Sequence, residues 1–228
     1  MSSRLIVALD TASPAVACAW AEAVAPWCGQ VKLGLEYFAA NGPGGVRGVS
    51  ARPVFLDLKL HDIPNTVARA VEAVLPLKPR MLTVHASGGP EMVATARRAA
   101  ELAGTERPLL LGVTVLTSLD AAALAAIGVV EGTVEQVLRL GRLAVSAGAD
   151  GLVCSAHEVK ALRAELGEGV KLVVPGIRPL GTEAGDQART MTPEQAVAAG
   201  ADWIVVGRPI TAAADPAAAA AAISCVLA

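Results

Sequence analysis

The chain has 228 residues and a formal net charge of −2 at pH 7, with 54% hydrophobic and only 18% charged side chains. That balance excludes a disordered chain, and without a Lys/Arg run neither nucleic acid nor an anionic membrane is expected as a partner. The length fits one large domain, and so little charge on a molecule this size points to apolar surface hidden in an oligomer interface.

Short β-like runs recur along the chain, each followed by a helical pattern. Residues 5–10 precede a helix over 14–24 that opens on Ser13-Pro14, a capping hydroxyl followed by a proline at a first helical position. Residues 30–34 precede a short helical stretch over 37–41, residues 54–60 one over 66–75, and residues 81–85 one over 90–102. The run 109–115 leads through residues 119–133, which carry no assignment, to a helix over 134–147. Strands over 151–154, 171–174 and 203–206 are followed by helices over 158–166, 193–199 and 209–226, the last interrupted near Asp215-Pro216.

Eight βα units with near-continuous apolar strands predict a parallel sheet covered on its outer face, and the count matches a single (β/α)8 barrel domain over residues 1–228. An open, doubly wound sheet would carry GxGxxG at a strand-helix turn, and the sequence has none. Arg4 is followed by only five apolar residues before Asp10, too few for a signal-peptide core, and the longest apolar runs fall far short of the roughly 20 residues of a spanning helix. A soluble, cytoplasmic protein is expected. Cys18, Cys28, Cys154 and Cys225 form no CxxC pair and are not spaced from His61, His85 or His157 as zinc ligands, so reduced, mostly buried thiols and no metal are expected.

Function in such a barrel gathers at the carboxyl ends of the strands, and here those ends are polar. The first run ends in Asp10, the second carries Lys32, and the third carries Asp57 and Lys59 with Asp62 just beyond. The fifth leads into Thr117 and Ser118, the seventh into Arg178, and the eighth into Gly207-Arg208. Strand alternation puts Asp57 and Lys59 on one face and Leu56, Leu58 and Leu60 on the other, so the charged pair points into the lumen. A lone D-x-K would be an ion pair closing the barrel. With Asp10, Lys32 and Asp62 converging on the same mouth, alternating charges around a cavity form a preorganised electrostatic site instead. His61 and His85 are expected to be structural, hydrogen-bonded histidines.

The last two loops have the makings of a phosphate site. In IVVGRPI, Gly207 admits a ligand to the backbone, Arg208 supplies charge and paired donors, and Pro209 starts a helix whose amino end favours anions. The stretch PGIRPLGTEAGDQART, with Arg178, Gln187 and Arg189, is long for a loop and is expected to be a flap closing over an anionic ligand.

These residues resemble the orotidine 5'-phosphate decarboxylase family. The matching stretches are VALD at 7–10, VKLG at 31–34, FLDLKLHDIPNT at 55–66, VHASGG at 84–89, VTVLTS at 113–118, PGIRP at 175–179, EAGDQ at 183–187, MTPEQA at 191–196 and VGRPI at 206–210. They run in family order over nearly the whole chain, and the DxKxxD core followed by IPNT is highly specific.

The resemblance implies a homodimeric (β/α)8 barrel that decarboxylates orotidine 5'-monophosphate to uridine 5'-monophosphate (UMP), the last step of de novo UMP synthesis, without metal or organic cofactor. It implies that Lys59 protonates C6, that Asp57 sits beside the substrate carboxylate, and that Asp62 and Thr66 reach into the neighbouring subunit's site. Asp10 and Lys32 would hold the ribose hydroxyls and extend the charge network, and Thr117 would lie near the pyrimidine. Arg178, Gln187, Gly207 and Arg208 would form the phosphate and lid contacts, and Ile63 and Ser118 complete the expected substrate-contacting set. Two rival readings stand beside it: a phosphosugar lyase that stabilises an enediolate with Mg2+, and a non-enzymatic barrel that senses UMP.

Overall fold

A computed structural model of the chain describes residues 3–49, 52–179 and 191–227. Eight parallel strands close on one another in chain order: β1 (Leu5–Ala8), β2 (Gln30–Gly34), β3 (Val54–Leu60), β4 (Met81–His85), β5 (Leu109–Val113), β6 (Gly151–Val153), β7 (Lys171–Val174) and β8 (Trp203–Val206), with β8 pairing back onto β1. This is the (β/α)8 barrel that the eight-fold alternation predicts. Among the described residues the helices around it are α1 (Pro14–Val24), α2 (Leu35–Gly48), α3 (Pro64–Val74), α4 (Pro90–Glu101), α5 (Ala121–Ala126), α6 (Thr133–Ser146), α7 (Val159–Leu166), α8 (Pro193–Ala198), α9 (Arg208–Thr211) and α10 (Pro216–Cys225).

The period-two alternation of the strands produces two apolar layers. Ile6, Ala8, Phe55, Met81, Leu111, Val173 and Val205 fill the lumen. Their neighbours on the other strand faces, such as Val7, Leu56, Leu82 and Leu110, pack against the helices in a larger, continuous core. Each helix turns a 3.6-period stripe to that layer: α3 buries Val67, Ala68, Val71 and Val74, and α4 buries Met92, Val93, Ala96, Ala99 and Ala100. At Gly112 an added Cβ would meet the Ala144 methyl at 2.8 Å, so glycine there sets the close approach of α6 to the sheet.

The amino ends of the strands are fastened by a repeated device. The tetrapeptide Ala-Gly-Ala-Asp occurs at 147–150, before β6, and again at 199–202, before β8. Each glycine has left-handed backbone, φ 98° at Gly148 and 110° at Gly200, which ends the preceding helix and turns the chain into the strand. Each aspartate then accepts a backbone N–H from the strand before: Leu110 N donates to Asp150 at 2.7 Å and Leu172 N to Asp202 at 2.8 Å. An arginine closes each clamp, Arg97 bonding Gly148 O and Asp150, and Arg163 bonding Gly200 O and Asp202. Arg107 adds a two-pronged pair to Asp150 at 2.6 and 3.0 Å.

Several boundaries depart from the sequence expectation. The short stretch expected over 37–41 is a longer α2, kinked where Gly42 takes φ 58° ahead of Pro43. Residues 119–133 contain α5, six residues capped by the Asp120 side chain. The last helix is interrupted at Asp215-Pro216 as expected: α9 begins at Arg208 after Gly207, and α10 begins at Pro216 behind the capping Asp215. Cys28 and Cys154 are buried as expected, but Cys225 is exposed. No helix among the described residues is long and apolar enough to cross a membrane.

Candidate active site

A cavity of about 260 Å³ opens at the carboxyl ends of the strands, above the apolar filling of the lumen. Its wall includes Asp10, Lys32, Asp57, Lys59, Thr117, Arg178, Gly207 and Arg208, all expected from the sequence. Ile63, Asp62, Thr66 and Ser118 are exposed and do not line it. Gln187 lies outside the described residues, with the rest of the segment 180–190 expected to form a flap.

The charged residues form a chain of alternating sign. Asp57 Oδ2 lies 2.7 Å from Lys59 Nζ and 3.5 Å from Lys32 Nζ, and Lys32 Nζ lies 3.2 Å from Asp10 Oδ1. The chain runs from the exposed Asp10, through Lys32 with 13% of its side chain exposed, to Asp57 with 10%. Burial opposes the charged form of both inner groups, and in both the partners win. Lys32 and Lys59, helped by the Thr83 hydroxyl, hold the Asp57 carboxyl below the usual carboxylate range. Asp57 and Asp10 hold the Lys32 ammonium above the usual lysine value. At neutral pH the interior of the site is therefore ionised and paired.

The local geometry of β3 creates this arrangement. The β3–β4 ladder pairs Phe55 with Met81 and Leu56 with Leu82, then resumes only at Leu60 with Val84, so β3 bulges between those points. Within the bulge Lys59 adopts φ 48°, a left-handed conformation that costs a side-chain-bearing residue about 1–3 kcal/mol. Strain of this kind persists where the surroundings over-determine it. Here two contacts do so: the Nζ pair with Asp57, and a 2.8 Å hydrogen bond from Lys59 N to Thr83 Oγ1. Thr83 in turn donates to Asp57 Oδ1 at 2.9 Å.

Thr83 is the polar residue that the sequence reading passed over. The signal was present, because in the strand MLTVH it shares the inward parity of Met81 and His85. His61 and His85, expected as hydrogen-bonded structural histidines, instead face each other, ring centroids 5.3 Å apart and tilted by 38°. Burial, His61 and Lys59 push the His85 imidazole below its ordinary value, which keeps this second ring next to the site neutral. Asp62 does not join the charge chain; its Oδ1 accepts the Ile63 N–H at 2.6 Å.

Across the mouth stand two guanidiniums. Arg178 follows β7, where Arg178 N donates to Met191 O at 3.0 Å, and its charged form is disfavoured by burial and by the nearby Arg208. Two like charges held together are a site that an anion relieves. Gly207 beside them takes φ −109° and ψ −105°, and the atoms nearest to an added Cβ would be those of Ala8 and Asp10, at 3.5 Å or more. Gly207 lines the cavity, and having no side chain it leaves the backbone open to whatever enters.

The comparisons with known proteins agree with this arrangement. The model of the Orotidine 5'-phosphate decarboxylase / HUMPS family matches residues 3–223. A relative from Gluconobacter oxydans (strain 621H), named orotidine 5'-phosphate decarboxylase, is 59% identical over 97% of this chain and 95% of its own. One of the same name from Anaeromyxobacter dehalogenans is 57% identical over 98% and 97%. The crystal structure of orotidine 5'-phosphate decarboxylase from Lactobacillus acidophilus superposes with a TM-score of 0.87 at 37% identity, covering 99% of both chains. The barrel, the charged chain at its mouth and near-full-length similarity of this degree make the chain a member of the orotidine 5'-phosphate decarboxylase / HUMPS family.

Proposed function

We propose that the protein converts orotidine 5'-monophosphate to UMP and CO2, the closing step of UMP synthesis, acting in the cytoplasm as a homodimer and without metal or organic cofactor. The observation that carries the reading is the chain Asp10–Lys32–Asp57–Lys59 at the cavity wall, with Lys59 Nζ 2.7 Å from Asp57. When the C6–carboxylate bond breaks, the electron pair stays on a ring carbon with no imine to delocalise it. The site must then supply fixed positive charge and a proton at that carbon. The Lys59 ammonium gives its proton to C6 and regains one from solvent. Its ion pair with Asp57, at 2.7 Å, is the setting of a proton donor and not of the free amine that a Schiff base needs.

The remaining assignments are those that the family resemblance implies. Asp57 lies beside the substrate carboxylate, Asp10 and Lys32 hold the ribose hydroxyls, and Thr117 and Ser118 lie on the pyrimidine side. Arg178, Arg208, Gly207 and Gln187 hold the phosphate, whose binding energy orients a ring that reacts some distance away. Asp62, Ile63 and Thr66 stand at the rim, exposed, where a second subunit's cavity can receive Asp62 and Thr66.

The test is to incubate protein exhaustively treated with EDTA with orotidine 5'-monophosphate and follow UMP and CO2. Full turnover supports the proposal. Turnover that requires added Mg2+, or activity only on phosphosugars, would move the protein to the other branch of its family, and UMP binding without any turnover would make it a sensor.

A further inference from the structure

The structure assigns Thr83 as the positioning residue that holds Asp57 and Lys59 in register, through a single hydroxyl that accepts from one and donates to the other. This inference rests on the decarboxylase reading above and deepens it.

Between the pairs Leu56–Leu82 and Leu60–Val84, β3 advances four residues while β4 advances two. Thr83 is thus the residue that faces the arc Asp57-Leu58-Lys59, and the regular backbone ladder is interrupted there. The Lys59 N–H, turned by φ 48°, points instead to Thr83 Oγ1 at 2.8 Å, and the same oxygen donates its proton to Asp57 Oδ1 at 2.9 Å. Thr83 is fully buried, with 0% of its surface exposed, so water does not replace it.

Each group has one role available. A backbone N–H only donates and an ionised carboxylate only accepts, so the group between them must do both. A hydroxyl does; a methyl does neither. With Oδ1 engaged by Thr83, the Asp57 carboxylate is fixed in plane and presents Oδ2 to Lys59 and Lys32. The hydroxyl therefore fixes the backbone that carries the proton donor and the carboxylate that orients it, without lining the cavity itself.

Thr83→Val keeps the shape and removes the hydroxyl, Thr83→Ala removes it without any steric demand, and Thr83→Ser restores it. Steady-state kinetics on orotidine 5'-monophosphate and hydrogen exchange at the Lys59 amide are measured for all four proteins. Both hydroxyl-free variants are expected to lose about 10- to 100-fold in kcat, with KM within about threefold of wild type, because a hydrogen bond to a charged group is lost at the reacting centre and the phosphate grip is untouched. Thr83→Ser is expected to stay within about threefold of wild type in kcat. The Lys59 amide should be protected in wild type and Thr83→Ser and exchange freely in the other two.

Folded Thr83→Val or Thr83→Ala with wild-type kcat would overturn the assignment. So would a loss carried by KM alone, or a serine variant as impaired as the valine one. Wild-type protein that makes no UMP would defeat the decarboxylase reading itself; the amide exchange would still decide whether Thr83 holds Lys59.

Discussion

Lys59 shows how much of the site one residue can encode and how much it cannot. The alternation of D-L-K-L was enough to place both charges in the lumen, because a strand sends every second side chain to the same face. It could not show that the backbone at Lys59 is left-handed, since the bulge arises from the pairing of β3 with β4, which is a relation between distant segments. Thr83 went unread for the same reason: its role exists only once that pairing is formed. The charge chain also sets a pH dependence. The folded-state pKa of Asp57 is depressed, so its stabilising contribution is present above its unfolded value near pH 4 and is lost as pH falls through the lower folded value. Lys32 is raised, so its contribution is present below its unfolded value near pH 10 and is lost only as pH rises past the higher folded value. Thermal melts of wild type and Asp57→Asn should therefore differ by a constant amount from about pH 5 to pH 9. Below about pH 4 the difference should shift in favour of the variant. A difference that stays constant down to pH 2 would show that the surroundings do not lower the Asp57 pKa.

At the scale of elements, the strands and most helices were legible because their apolar periods are local. α5 was not, being only six residues with a single buried leucine, and the kink that lengthens α2 depends on one glycine conformation. The Ala-Gly-Ala-Asp repeat was in plain view, yet its meaning required the partners: the Leu110 and Leu172 amides, and the arginines that reach back from other helices. These clamps sit at the amino ends of the strands, where barrel residues serve stability, while the cavity occupies the carboxyl ends. Asp150→Ala would take one acceptor from each of Arg97, Arg107 and the Leu110 N–H and should cost about 2–3 kcal/mol in chemical denaturation. At temperatures where the variant is folded, its kcat on orotidine 5'-monophosphate should equal that of wild type. A large loss of kcat with unchanged stability would mean that the two ends of the barrel are not separable.

For the whole molecule, eight βα units and the polarity of the strand ends were sufficient to anticipate a closed barrel with its chemistry at one mouth. Among the described residues, not every group expected around the substrate lies on the cavity wall. Asp62, Ile63 and Thr66 lie at the rim, and Ile63 is 67% exposed, an apolar side chain beside a charged one on a surface suited to a second subunit. Mixing Asp62→Ala with Lys59→Ala subunits tests this. In a statistical mixture half the dimers are mixed and each contains one complete site, so recovery to about a quarter of wild-type activity is expected. No recovery, with subunit exchange demonstrated, would place Asp62 outside the neighbouring site.

The most direct measurement is the rate of UMP formation by Lys59→Ala beside wild type, both free of metal, with folding and UMP binding verified. A variant that binds UMP yet shows no measurable turnover is the result expected of a site in which Lys59 delivers the proton to C6. Retention of a tenth of the wild-type rate or more would contradict it.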